Sequence, residues 1–317
     1  MHKKERKMYN EERKMRFLTE TRSAVAFGVS AFNTTGSYEH IADKDLCELP
    51  LEVLQPMMNE SFGARTRTVD STIAFIRAYV AWCKEQGYST CDDAYQLKTE
   101  MDEKFKRMMI GSPLHLEHIL NTAFEPVASE TVDCLYRCYL WMAFAGLEEA
   151  ETVEVTVDEI DFDTMTIEHG GKSYEIYREA VPVFKMACEA TQFKYVNPNY
   201  AEDKRVSYRN RYLGDSLLRG IRSSKLTLST IRGIVGKKFK ASGVETTYTK
   251  VRLSGLFYKV YEMERLGFPV NFDGYALERI SKAEHTYHVN YTHNKLKGMI
   301  VSDLQDDYEC WKAAFTK

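Results

Sequence analysis

The stretch Cys134-Leu-Tyr-Arg-Cys-Tyr-Leu-Trp-Met-Ala-Phe-Ala145, Gly146-Leu147-Glu148-Glu149-Ala150-Glu151, Thr152-Val153-Glu-Val-Thr-Val-Asp-Glu-Ile-Asp161-Phe162-Asp163 changes from one periodicity to another at a glycine. Its first part is hydrophobic nearly all round, which predicts a buried helix over Ser129–Gly146, with Gly146 as its stop. Three short strand-like runs then follow, Val153–Val157, Thr164–Glu168 and Ser173–Tyr177. Turn residues separate them at Asp158–Asp163 and Gly170-Gly171. That order predicts a small antiparallel meander behind a buried helix.

On the N-terminal side the pattern breaks at Gly111-Ser-Pro113, which places a domain boundary between about Tyr88 and Pro113. The segment before it, residues 21–105, reads as a helical domain; residues 113–317 form the second, and residues 1–20 a polar, basic arm or a helical extension beginning near Met15. Asp43–Met58 carries apolar residues at helical spacing, broken by Pro50 and Pro56. Thr68–Gly87 holds the clearest helix, with Val69, Ile73, Ile76, Val80 and Cys83 on one face and Gly87 as its end. Thr68 is the expected N-cap, Thr66 the alternative, and Arg65 and Arg67 stand at the entry. After Pro182 the chain reads as helices, several of them basic. The fold class predicted is mostly α with a small antiparallel sheet.

Composition fits this reading. The 317 residues are 44% hydrophobic and 12% aromatic, as in a folded globular chain of two ordinary domains. Seven cysteines without a CxxC pair read as reduced thiols of a cytoplasmic protein. No run of about 18 apolar residues points to a membrane span. There is no repeat, Gly-rich phosphate loop or zinc-ligand spacing. His285, His288 and His293 lack a Cys or carboxylate partner in register, so neither metal nor cofactor is expected. The net charge of −3 conceals an asymmetry: between Ala201 and Val260 fourteen Lys and Arg face four acids, and residues 1–16 hold seven basic residues against three acids. Clustered cations on an acidic body suit a phosphate-binding face, because phosphate contacts supply most non-specific affinity for DNA.

The order of helical domain, buried helix, meander and basic helical half resembles that of tyrosine recombinases, the phage-integrase family. Their Gly-Leu-Arg motif corresponds to Gly146-Leu147-Glu148, followed by the Ile160-Asp161-Phe162 turn, so Glu148 stands where the first catalytic arginine belongs. The family's His-x-x-Arg fits Thr249-Lys250-Val251-Arg252, with Arg252 retained and Thr249 in the histidine's place. Glu278–His293 is similar to the nucleophile segment, with Tyr291 on the nucleophile and Lys282 on the third-position histidine. The hairpin lysine would be Lys172. The helix Ser302–Phe315 resembles the terminal helix that recombinases dock onto a neighbouring protomer.

The resemblance implies a helical core-binding domain and a catalytic-like domain closing on double-stranded DNA. Arg65, Arg67, Lys172, Arg205, Arg209, Arg211, Arg222, Lys237, Lys238, Lys250, Arg252 and Lys282 are the expected DNA contacts. It also implies damaged chemistry. Phosphoryl transfer needs cations around the non-bridging oxygens, and losing one preorganised donor costs about 10²–10³ in rate. Glu148 adds an anion in its place, and Thr249 holds no proton at a useful pKa. Glu148, Lys172, Thr249, Arg252, Lys282 and Tyr291 are therefore expected to be relic positions. The expectation is a bacterial-cytoplasmic repressor of a phage or prophage, similar to the recombinase-fold master repressors of arbitrium-type temperate phages. A regulatory or anti-repressor protein and weak self-association are its expected partners. Two alternatives stand beside it: an atypical active recombinase in which Arg137 or Lys172 replaces the missing arginine, and an accessory DNA-bending protein.

Overall fold

The computed structural model describes residues 8–21, 25–61, 66–98, 102–196, 206–268 and 297–316. The chain is mostly helical with small antiparallel sheets and divides into two compact units, Met1–Phe105 and Lys106–Lys317. No described helix is long and apolar enough to cross a membrane.

The first unit comprises helices α1 (Glu11–Glu20), α2 (Val25–Ala42), α3 (Leu51–Ser61) and α4 (Thr66–Glu85). The expected stripe of α4 is buried throughout, and Gly87 follows the helix with φ +74°. The helix begins at Thr66, so Thr68 lies inside it and is no N-cap. Pro56, expected to break the segment, sits within α3, where it removes a single ladder hydrogen bond. Of the two expectations for the N-terminal segment, the helical extension holds from Glu11 onward. Helix α1 buries Phe17 edge-on against Phe32, Phe75, Tyr79 and Trp82, so an amphipathic helix rather than a tail occupies residues 11–20. The same helix buries Lys14, whose Nζ donates to Glu39 Oε1 and Oε2 at 2.5 and 2.6 Å. Glu39 also accepts from the Thr35 hydroxyl and the Leu46 amide, so the buried charge is fully satisfied.

In the second unit, following α5 (Asp102–Met108), helix α6 (Pro113–Ala123) is capped by Ser112 and leads to α7 (Asp133–Ala145). Every residue of α7 is buried, as its all-round hydrophobicity requires. Gly146 ends it with φ +109°, and the amides of Gly146 and Leu147 return to the carbonyl of Met142. The sheet that follows has the order β1 (Ile160–Asp161), β2 (Thr166–His169), β3 (Lys172–Glu175), all antiparallel, with Gly170-Gly171 as the tight turn. The first predicted strand is misplaced. Residues 153–157 are not in the meander, because the Val157 amide donates to Asp215 and Val155 accepts from Leu217. Their alternation therefore reports pairing with a distant loop.

Helix α8 (Val181–Glu189) leads to a feature absent from the prediction, a two-stranded hairpin of β4 (Gln192–Val196) and β5 (Val206–Asn210). The β-branched and aromatic residues of both strands outweigh the helical reading of this basic region. Helices α9 (Leu228–Ser242), α10 (Tyr248–Arg265) and α11 (Lys297–Phe315) complete the unit. Helix α11 docks on its own unit: Trp311 Nε1 donates to the Ile110 carbonyl at 2.7 Å, and Tyr308 and Lys312 both bind Glu264.

Helix α10 crosses α7 at Gly255. A Cβ built there would lie 1.8 Å from the Phe144 carbonyl oxygen, which is backbone and cannot swing aside. Gly233 of α9, by contrast, has nothing within 4 Å of such a Cβ. Gly255→Ala is expected to destabilise the second unit by about 3 kcal/mol through overpacking, and Gly233→Ala to stabilise it by about 0.5–1 kcal/mol through helix propensity. Chemical denaturation of the two variants beside the wild type checks both signs.

Candidate nucleic-acid interface

The end of α7, the loop after it and the start of α10 bring the motif positions together. Arg252, one turn before the Gly255 crossing, is nearly buried; its Nε donates to the Gly146 carbonyl at 2.8 Å and its Nη2 meets Glu148 Oε1 at 2.7 Å. Glu148 thus holds Arg252 directly. Lys172 of β3 lies 3.6 Å from Glu151, which in turn accepts the Glu148 amide at 2.9 Å. Burial works to raise the Glu151 pKa, but the Glu148 amide and Lys172 outweigh it and hold the carboxyl below its ordinary value. Thr249 is exposed in the first turn of α10.

The pairing extends along the loop. Glu149 takes Arg232 of α9 in a bidentate pair at 2.7 and 2.5 Å and accepts from the Tyr139 hydroxyl, and Glu154 pairs with Lys225. Glu148, Glu149, Glu151 and Glu154 therefore reach cations in α10, α9, β3 and the loop before α9. The pairs whose cations are exposed, Glu149–Arg232 and Glu154–Lys225, contribute only about 0–1 kcal/mol each to stability. Their larger effect is on the field, since each cation so held presents little net positive charge outward.

The remaining expected contacts separate by environment. Arg209 of β5, Arg222 and Lys237 are exposed and make no ion pair among the described residues, and Arg209 lies over the Tyr195 ring, 4.9 Å from its centroid. Lys250 is half-buried at the start of α10. Lys238 reaches the buried Asp133 at 2.7 Å and so balances an interior charge. Arg67 lies in the first turn of α4. Arg65, Arg205, Lys282, Tyr291 and the three histidines fall outside the described residues.

Arg211 is a correction. It is 5% exposed, and its guanidinium donates to the carbonyls of Ala187, Ala190, Leu217 and Arg219, with the Phe193 ring beneath it. Burial draws its pKa down to about 10, which still leaves it charged at neutral pH. Its charge is spent on main-chain oxygens at the foot of the β4–β5 hairpin, away from the surface. Arg137 is likewise interior, bonded to Asn121 Oδ1 and the Phe124 carbonyl.

One set of potential metal ligands occurs among the described residues. Asp45, Cys47 and Cys83 place their ligand atoms within 4.8 Å of one another in the buried heart of the first unit. Asp45 is already committed there: it accepts from Tyr79, Asn10 and the Cys47 amide and faces Arg13 at 3.5 Å. A hydrogen bond with Cys83, and burial, push the Cys47 thiol up. A protonated thiol and a carboxylate satisfied beside a guanidinium make a poor cation site.

Arg211→Ala is expected to cost about 3 kcal/mol or more by leaving buried carbonyls without donors, whereas Arg222→Ala should stay within about 0.5 kcal/mol of wild type; urea denaturation separates them. The Arg232 hydrogen bond lowers the Glu149 pKa below its ordinary 4.5. This pair's contribution is therefore complete above about 4.5 and is lost as pH falls through the lower, folded value. Thermal melts of Glu149→Gln from pH 6 down to about 3 should show a shallower acid decline than wild type.

Comparison with known proteins bears on the first unit. Residues 8–85 match the family model described as the N-terminal core-binding domain of MrpR. No curated protein matches the chain. Among solved structures, the crystal structure of XerA recombinase is 11% identical with a TM-score of 0.35, covering 87% of this chain and 98% of that one. The integrase from mycobacterium phage Brujita is 11% identical with a TM-score of 0.36, covering 93% and 91%. The match over residues 8–85 assigns a core-binding domain to the first unit.

Proposed function

We propose that the chain is a sequence-specific double-stranded DNA-binding protein, a phage or prophage transcriptional repressor that maintains lysogeny on a tyrosine-recombinase scaffold without cutting DNA. The observation that carries this reading is the Glu148–Arg252 pair at 2.7 Å. In a working recombinase the retained arginine would meet the scissile phosphate, with a second arginine beside it. Here a carboxylate occupies that guanidinium, so a phosphate arriving at the same place meets an anion and half the cationic clamp. Binding survives such a loss better than catalysis, because binding sums many phosphate contacts whereas catalysis depends on a few preorganised donors. The core-binding match over residues 8–85 and the exposed Arg209, Arg222 and Lys237 support a DNA-binding role for what remains.

Selection from a randomised duplex library at about 0.15 M salt tests the reading, with each reaction run on a native and a denaturing gel. The expected result is a native shift with a few enriched duplexes, no denaturant-resistant adduct, and the same shift for Tyr291→Phe. A covalent adduct lost in Tyr291→Phe would establish the recombinase alternative. Strong bending without enrichment would establish the architectural one.

A further inference from the structure

The register of the β4–β5 hairpin decides which of its backbone groups face outward. Continued to the foot of the hairpin, it sets Thr191 opposite Arg211, and the Arg211 amide donates to the Thr191 carbonyl at 2.8 Å. Bonded and non-bonded pairs alternate along an antiparallel ladder. Phe193–Arg209 and Tyr195–Ser207 are therefore bonded pairs, whereas Gln192–Asn210, Lys194–Tyr208 and Val196–Val206 turn their amides and carbonyls to the outer edges. Two contacts outside the ladder have the same phase: the Lys194 amide donates to the Glu130 carbonyl at 2.8 Å and the Tyr212 amide to the Gly220 carbonyl at 2.9 Å.

The two edges of this sheet consequently differ. That of β4 is held at Lys194, and that of β5 closes only at Tyr212. Along Val206, Tyr208 and Asn210 the outward amides and carbonyls make no hydrogen bond among the described residues. All five residues of β5 are exposed, including Tyr208 at 53% and Val206 at 49%. Proline, lysine or a bulge commonly blunts such an edge, and Val-Ser-Tyr-Arg-Asn, in unbroken register with β4, has none of them. Its one charged side chain, Arg209, lies over the Tyr195 ring of the neighbouring strand, 4.9 Å from the centroid.

We propose that β5 is a self-pairing edge, which joins β5 of a second copy of this chain antiparallel about a twofold axis at Tyr208. The product is one continuous sheet in the order β4–β5–β5–β4. In this register Tyr208 faces the partner's Tyr208 and Val206 faces the partner's Asn210, and each such pair exchanges both backbone hydrogen bonds. On the reverse face Arg209 stands opposite the partner's Ser207, so no like charges are directly opposed. Sliding one strand by two residues is the next shift that keeps outward groups facing; it loses one of these pairs, and in one direction it sets the two arginines against each other. The strand is thus complementary to itself in one register. Because the far edge of β4 is already held by Glu130, pairing closes at a dimer and does not propagate. A two-stranded ribbon, marginal by itself, gains the further strands that a stable sheet needs. One short strand from each copy makes a small interface, at the weak end of protein association.

Sedimentation of the full chain over a rising concentration series tests the proposal, with thermal melts to verify folding. Wild type is expected to pass from monomer to dimer. Tyr208→Pro deletes an outward amide that the β4 ladder does not use and should remain monomeric, whereas Tyr208→Phe keeps that amide and should dimerise as wild type does. Mild oxidation examines the register. A bonded pair holds its Cα atoms about 5.5 Å apart, within disulfide reach, so Tyr208→Cys should give a dimer cross-linked through the two introduced thiols, identified by peptide mass spectrometry. Arg209→Cys, whose two copies are diagonal neighbours about 7–8 Å apart, should not. A wild type that stays monomeric at every concentration, with no cross-link in Tyr208→Cys, overturns the proposal and leaves the edge to a different protein. A dimer that persists in folded Tyr208→Pro overturns the assignment to β5, and preferential cross-linking of Arg209→Cys overturns the register. Should Tyr208→Pro misfold, the two cysteine variants decide alone.

Discussion

The architecture of the second unit depends on the crossing of α10 over α7, where only hydrogen fits between Gly255 and the Phe144 carbonyl. Closing that approach to backbone contact brings the N-terminal turns of α10 down onto the end of α7. Arg252 then reaches the Gly146 carbonyl, and Tyr248 the Leu147 carbonyl at 2.9 Å. Gly146 contributes from the other side, because its left-handed conformation ends the buried helix and turns Glu148 toward the guanidinium. One steric fact thus precedes the electrostatics of the whole motif region.

The glutamates after Gly146 convert that geometry into a charge pattern. Four carboxylates within seven residues reach cations in four parts of the unit. Those with exposed cations add little to stability, and the set as a whole decides which positive groups face outward. With Arg252, Arg232, Lys172 and Lys225 held and Arg211 and Lys238 turned to interior oxygens, the outward positive field rests on residues such as Arg209, Arg222 and Lys237. A basic segment counted along the sequence is therefore a poor measure of the face that a polyanion would meet.

The two units reach stability by different means. The first concentrates aromatic rings around Phe17 and encloses two polar centres, the Lys14–Glu39 pair and the Asp45 group, whose carboxylates each accept several hydrogen bonds. The second surrounds a helix buried on every side, which leaves its sheets at the margin.

The sequence by itself determined the elements whose signal is local. The all-round hydrophobicity of residues 134–145, the stripe Val69–Cys83 and the Gly170-Gly171 turn each announce structure through side chains a few positions apart, and all three stand where expected. The carboxylate run that begins at Glu148 was legible in the same way, from its place after Gly146-Leu147. Tertiary structure alone decided what depends on distant partners. Residues 153–157 pair with 215–217 and leave the meander; Arg211 is an anchor and no DNA contact; Glu148 and Arg252, over a hundred positions apart, form one ion pair. Propensity and periodicity act within a turn or a strand, whereas the fate of a charge is set by which carbonyls and carboxylates the folded chain brings within about 3 Å of it.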